Sequence, residues 1–341
     1  MLQQLWYKKA TFLTYCLLPF AWLFRLIITL RKLLYRCGIK KSTHFPATII
    51  VVGNITVGGT GKTPLVIWLA NLLLQQDYRP GIVSRGYGAK NITSPRLVTT
   101  ISKVTEVGDE PLLIAHQVNC PIAVAPKRTQ AIHLLLNKFN CNVIISDDGL
   151  QHYAIQRDIE IAVIDAQRQF GNGHLLPAGP LREPMTRLNT VDFIIYNEQN
   201  PISLSQQYNN KNLKHHKMYL KPKPFLKSVS NPTQQINITE LSKKTIHAVA
   251  GIGNPQRFFT TLRQLGLTIT EHPFPDHHVF KSTDINFGAQ KIVIMTAKDA
   301  VKCSCFADER HWFLPVKAEL NKEFTHTILR KLAKQFKKAK N

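Results

Sequence analysis

The sequence predicts an α/β protein with a mainly parallel sheet domain covered by helices on both faces, a second, smaller α/β domain, and an N-terminal membrane-associated helix. Three observations lead there. Short β-branched runs at 47–52, 80–84, 121–125, 142–147, 160–165 and 191–196 alternate with helical patterns, which is how a parallel sheet reads when both of its faces are buried. After Asn197 the pattern loosens through a stretch rich in Asn, Gln, Lys and Pro. It then resumes with a strand-like 246–250, a loop entering a helix that runs through Leu265, and a strand-like 291–295. Ahead of all this, residues 11–30 are almost wholly apolar. The expected divisions are 1–40 for a membrane-interface helix, 41–200 for the larger domain, 201–240 for linker strands and loops, and 241–341 for the smaller domain.

The N-terminal run is interrupted by Pro19 and Arg25, leaving a short stretch for a comfortable membrane span. Arg25, Thr29, Lys32 and Arg36 recur at intervals of four, three and four, so they form one stripe of a helix whose remaining surface is apolar. Flanking Lys8, Lys9, Arg31, Lys40 and Lys41 suit an anionic leaflet. The expected placement is in the membrane interface. A single transmembrane helix, a cleaved signal peptide and a helix packed on the protein's own core are the alternatives, and the signal peptide lacks a small-residue cleavage site.

Charge points the same way. With 44 Lys and Arg against 21 Asp and Glu, a net +23, the surface attracts polyanions such as phospholipid headgroups or phosphorylated substrates. The basic residues do not cluster with aromatics in a nucleic-acid module, so no nucleic acid is expected, and no obligate protein partner is evident. Six cysteines without CxxC spacing imply neither a disulfide framework nor a zinc site.

The β-branched run at 47–52 feeds G-N-I-T-V-G-G-T-G-K-T-P (53–64) and then an apolar helix. Strand, glycine loop and helix together form the context of a P-loop, and the larger domain is therefore expected to be P-loop NTPase-like. Gly58, Gly59, Thr60 and Gly61 let backbone amides converge on phosphate oxygens, and the helix N-terminus adds its positive end. Lys62 reaches the β and γ phosphates, and Thr63 is a ligand for Mg²⁺. The departure from the usual pattern is Thr56, which stands where a glycine is common.

A second buried-strand pattern at 141–146 ends in D-D-G-L-Q-H (147–152). Carboxylates at the C-terminal edge of such a strand face the ligand crevice of an open α/β sheet, so Asp147 or Asp148 is expected to hold Mg²⁺. Further on, Pro275-Asp276-His277-His278 is a polar cluster in which a carboxylate fixes an imidazole tautomer. Acid–base duty fits it better than metal ligation, because adjacent histidines point in different directions; His278 rivals His277.

Taken together, G-N-x-T-V-G-G-T-G-K-T-P, S-R-G-Y-G (84–88), G-D-E-P (108–111), D-D-G-L-Q-H and L-P-A-G-P-L-R-E-P (176–184) resemble the tetraacyldisaccharide 4'-kinase family. The resemblance covers residues 1 to about 300. It implies transfer of the ATP γ-phosphoryl group to the 4' hydroxyl of an acylated glucosamine disaccharide 1-phosphate, at the cytoplasmic side of the inner membrane. It also implies that Asp109 assists deprotonation of that hydroxyl, paired with His277 of the second domain, so that the domains close on substrate. Glu110 is a candidate for the metal or a neighbouring base, and Arg128 for a phosphate. Arg85, Gln151, His152 and Arg182 match family motifs, as substrate contacts or as structural hydrogen-bonding residues. The amphipathic 321–341 is expected to dock onto the second domain. The rival reading is a P-loop GTPase or ATPase switch at a membrane, for which Thr296-Ala297-Lys298-Asp299 is the nearest guanine-type string, with its lysine displaced by one position.

Overall fold

The computed structural model describes residues 6–7, 12–90, 92–198, 214–241 and 244–338. Along the chain the larger unit runs α1 (Phe12–Arg36), β1 (Thr48–Gly53), α2 (Lys62–Gln75), β2 (Pro80–Ser84), β3 (Arg96–Val98), α3 (Val104–Val107), α4 (Asp109–Ala115), β4 (Ile122–Val124), α5 (Arg128–Phe139), β5 (Val143–Ser146), β6 (Ile159–Asp165), β7 (Phe193–Glu198) and β8 (Lys214–Pro222). The smaller unit follows as β9 (Phe225–Ser228), β10 (Gln235–Asn237), β11 (Thr245–Ala250), α6 (Pro255–Gln264), β12 (Thr268–Pro273), β13 (Ile292–Thr296), α7 (Ala297–Cys303) and β14 (His311–Leu314). The chain then returns to the larger unit as β15 (Val316–Leu320) and α8 (Lys322–Lys338).

The larger sheet has the order β15-β8-β7-β6-β1-β5-β2-β4-β3, and the strands from β8 to β4 in that order pair in parallel, with β15 and β3 antiparallel at the edges. Strands β1, β2, β5 and β6 are buried along their whole length, which is why they read as continuous apolar runs rather than alternating ones. On one face Leu65, Leu69 and Leu73 of α2 pack with Phe193 and with Phe324, Ile328 and Leu332 of α8. On the other face lie Ile132 and Leu135 of α5, Leu150, and Ala21 of α1. The smaller sheet, β10-β9-β14-β13-β11-β12, has its own core around Phe259, Leu262, Ile246 and Ile294.

Two expectations change. Helix α8 does not dock onto the smaller unit: Phe324 lies against Trp68 and Phe193, and Lys331 pairs with Asp192, all in the larger unit. The reason is β15, which pairs with β8 and leads the chain back across. For the same reason the smaller unit does not coincide with 241–341. It takes β9 and β10 from the stretch expected to be linker and gives up β15 and α8. Residues 201–213 of that stretch, and Lys8 and Lys9, lie outside the described residues.

Helix α1 is continuous through Pro19. Thr14 and Ala21 are buried, and Leu17, Leu18, Phe24 and Ile28 pack on the core of the larger unit. Its other faces leave Phe12, Leu13, Phe20, Trp22, Leu23, Leu26, Ile27, Leu30 and Leu33 exposed. No globular core accounts for so much uncovered apolar surface on one helix.

Candidate active site

Strand β1 delivers the glycine loop to the edge of the sheet where β5, β6 and β7 also end. Gly61 caps α2 at φ 93°, a conformation that favours glycine, and a Cβ there would collide with the side-chain amide of Asn197. The cap has no side-chain acceptor, so the first-turn amides of α2 are free to meet an anion. Asn197, at the end of β7, donates to the Thr60 carbonyl at 2.9 Å and fixes the loop from behind.

The acidic turn after β5 lies beside this loop. Asp147 N–H donates to the Val83 carbonyl at 2.9 Å and Gly149 N–H to Val52 at 3.0 Å, which stitches the turn across β2 and β1. Lys62 Nζ stands 3.4 Å from Asp148 Oδ1, and the Arg182 guanidinium 3.1 Å from Oδ2. Burial opposes the charge on Asp148, yet Lys62, Arg182 and Arg128 hold its carboxyl well below the usual range. Asp147 has the opposite surroundings: burial, then the charges of Glu110 and Asp148, push its carboxyl up despite Lys62 and Arg128. Both of its carboxylate oxygens are buried without a hydrogen-bond partner. Such orphaned oxygens call for an occupant, and a hard divalent cation is one that fits. Among the described residues no three His, Cys, Asp or Glu side chains form a metal cluster.

Arg128 is 6% exposed, and its guanidinium donates to the carbonyls of Asp147 and Asp148, both at 2.9 Å. One guanidinium nitrogen thus holds the acidic turn in place, while Nε has no hydrogen-bond partner. Gln151 donates to the Asn54 carbonyl at 2.9 Å and to Glu183 at 3.0 Å, tying the turn to the glycine loop and to the 176–184 loop. Tyr153 donates to the other oxygen of Glu183. His152 is half-buried, and burial, followed by the charges of Arg128, Arg157, Arg31 and Arg85, lowers its imidazole to about 4. Arg85 is exposed at the end of β2.

Asp109 opens α4 and is 4% exposed. Its Oδ1 accepts from Glu110 N–H at 2.9 Å, and its Oδ2 lies 3.1 Å from His277 Nδ1 in the smaller unit. The structure therefore brings together the two residues that lie 168 positions apart in sequence. Burial would raise the Asp109 carboxyl, but the His277 hydrogen bond and the Lys298 charge outweigh it and hold it low. His278, the rival, points elsewhere, with Nε2 3.0 Å from Asp284. His277 and Asp148 both have positive φ, 61° and 47°. Outliers of this kind persist where surrounding structure over-determines them, and they gather at functional sites.

Sequence reasoning missed several partners. Gly253 lies so close to the glycine loop that a Cβ on it would stand 2.8 Å from Gly59 N, and Arg168 donates to the Gly253 carbonyl. Arg257 of α6 donates to Asn197 Oδ1 at 2.8 Å and to the Glu198 carbonyl at 3.0 Å. The closely spaced glycines of G-I-G-N-P were a signal for such close backbone approach. Asp299 is fully buried and accepts from Gly251 N–H at 2.9 Å and from the Thr296 hydroxyl at 2.7 Å, while Thr296 caps the helix by accepting from Asp299 N–H, so the Asp299 carboxylate is engaged within the protein instead of reading a base. That removes the sequence support for a guanine motif.

A sequence profile described as tetraacyldisaccharide-1-P 4'-kinase matches residues 13–333. The chain belongs to the tetraacyldisaccharide 4'-kinase family. Relatives named tetraacyldisaccharide 4'-kinase include one from Methylobacillus flagellatus, 50% identical over 321 residues that make up 94% of this chain and 92% of the relative. Another from Coxiella burnetii is 45% identical over 325 residues, 95% and 93% of the two chains. A crystal structure of LpxK from Aquifex aeolicus in complex with ATP matches with a TM-score of 0.78 at 30% identity, covering 94% of this chain and 99% of that one. The fold is that of the family, with the apolar N-terminal helix attached to a largely parallel sheet.

Proposed function

We infer that this protein is a lipid kinase: it transfers the γ-phosphoryl group of ATP to the 4' hydroxyl of an acylated glucosamine disaccharide 1-phosphate. The observation that carries the reading is the hydrogen bond at 3.1 Å between Asp109 and His277, formed across the two units beside a phosphate loop. A switch protein needs the loop and the acidic turn but has no use for a general base assembled in this way.

In the reaction, a bond forms between the 4' oxygen and the γ phosphorus while the bond from phosphorus to the bridging oxygen breaks and ADP leaves. Asp109, kept ionised by its neighbours, takes the hydroxyl proton, and His277 orients it. Lys62 and the first-turn amides of α2 meet the phosphate oxygens, and Arg182 stands beside them to balance charge. Gly58, Gly59, Thr60 and Gly61 give the backbone its close approach. Mg²⁺, when bound, neutralises phosphate charge; Asp147 is its best-fitting ligand, with Thr63 at the start of α2 and Asp148 nearby. Glu110 is engaged by Lys298 at 3.1 Å and acts through the charge balance. Gln151 and His152 hold the turn, while exposed Arg85 is free for an anionic substrate group.

Helix α1 supplies the lipid side. Arg31 donates to the Gln151 carbonyl at 3.3 Å and Tyr35 lies against Tyr153, so the exposed apolar surface adjoins the acidic turn. One face of α1 is fastened to the larger unit from Thr14 to Ile28. Although α1 is long and apolar enough to cross a membrane, a spanning arrangement would drag that unit into the bilayer, which supports an interfacial placement with Arg25, Lys32, Arg36, Lys40 and Lys41 meeting anionic headgroups. Use of ATP assigns this reading to the cytoplasmic face of the inner membrane. The test is transfer of labelled phosphate from ATP to the disaccharide lipid, with loss of transfer on Lys62→Ala.

A further inference from the structure

We propose that Lys298, on α7 of the smaller unit, is a positioning residue for the Asp109–His277 pair, and this inference rests on the kinase reading. Its ammonium lies 3.1 Å from Glu110 Oε1, 3.5 Å from Asp276 Oδ1, 3.8 Å from Asp109 Oδ2 and 3.4 Å from His277 Nε2. Two of these groups open α4 in the larger unit, and the other two belong to the loop after β12 in the smaller one. Three carboxylates thus converge on one cation in a place that also has to face a polyphosphate. Without the cation they repel one another, and the contact between Asp109 and His277 is the contact that this repulsion opens.

The chemistry of the donors makes the role specific. An ammonium has only hydrogens to give, so the Nε2 atom facing Lys298 is the unprotonated nitrogen of His277. The ring proton then sits on Nδ1 and is donated to Asp109 Oδ2. Lys298 therefore sets both the distance and the tautomer of the pair. Its side chain is 16% exposed, and Glu110, Asp109 and Asp276 keep it charged against the cost of burial. Lysine also suits the geometry: three donors on a compact head can be shared among partners in different directions, whereas a planar fork favours one.

A lysine that merely glued the two units together would, when lost, change stability and substrate KM and spare kcat. A positioning lysine does the reverse. The experiment measures kcat and KM for ATP with the full chain, in detergent micelles containing the disaccharide 1-phosphate, for wild type, Lys298→Met and Lys298→Arg. We expect kcat of Lys298→Met to fall on the order of 10²-fold, as for a small misplacement of a reacting group, with KM for ATP unchanged and with partial recovery in Lys298→Arg. In the Asp109→Asn background, Lys298→Met should cost nothing further, because the residue it positions is already gone. Binding of ATP reports that each variant is folded; should Lys298→Met lose it, the charge-balanced Lys298→Met/Asp276→Asn variant is read by the same criteria. Wild-type kcat in the variant, or the same fold-loss with and without Asp109, overturns the proposal. Absence of transfer by the wild type would instead refute the kinase reading.

Discussion

Replacing Asp109 by Asn keeps the volume and removes the base. The carboxylate accepts from Glu110 N–H at 2.9 Å and from His277 Nδ1–H at 3.1 Å; the amide has one oxygen, so one of these donors loses its acceptor. Loss of proton abstraction is expected to cost about 10²- to 10⁴-fold in kcat, or roughly 2.7 to 5.4 kcal/mol on the barrier. Binding of ATP should not change, because the glycine loop is held by Asn197 and Arg257 and not by Asp109. Nor should the fold fail: Lys298 keeps Glu110 and Asp276 as partners, and the orphaned donor costs about 1–3 kcal/mol. The assay is steady-state kinetics with ATP and the disaccharide lipid, beside calorimetric titration of ATP. The His277→Ala variant and the double variant should fall to nearly the same rate, since the two residues act as a unit. Turnover of Asp109→Asn within about threefold of wild type, far short of the loss of a general base, would refute this reasoning, as would a loss confined to KM.

Three further outcomes follow. Asp147→Asn should abolish turnover yet raise the melting temperature at neutral pH, because burial and the charges of Glu110 and Asp148 disfavour its ionised form; Mg²⁺ titration should stabilise the wild type and not the variant, and an equal response would remove Asp147 from the metal site. His152 is neutral in the fold down to about 4 against 6.5 for the free side chain, so the unfolded chain binds the proton first and stability should decline as pH falls through that window; urea midpoints that decline equally in His152→Gln would contradict the assignment. Trp22→Glu with Leu26→Glu on exposed α1 should release the protein from anionic vesicles in flotation while leaving the rate on a detergent-dispersed acceptor intact, and unchanged flotation would move membrane contact away from this helix.

What the sequence made legible follows from the range of each signal. Strands β1, β2, β5 and β6 were readable because burial on both faces demands continuous apolar residues, and the glycine loop because its geometry demands glycines in one local string. Lys62 and Asp148 belong to such strings, and the structure places them 3.4 Å apart. The pairing of Asp109 with His277 was different in kind. No local pattern links residues 168 apart, and only the resemblance to a family suggested that they meet. The return of the chain through β15 and α8 left no local mark either, since an amphipathic helix does not declare which apolar surface it will cover. Arg128 reads as a ligand because it stands near a phosphate loop, and its added task of holding two turn carbonyls through one nitrogen has no local signal in the sequence. Lys298 was read against a nucleotide-base motif, and its actual neighbours come from two other elements and two units.

The most direct test of the central claim is transfer of radiolabelled γ-phosphate from ATP, with Mg²⁺, to a tetraacyldisaccharide 1-phosphate in micelles by wild type and Lys62→Ala. Labelled lipid from the wild type alone is the predicted result; ATP binding by the wild type without any labelled lipid would contradict it.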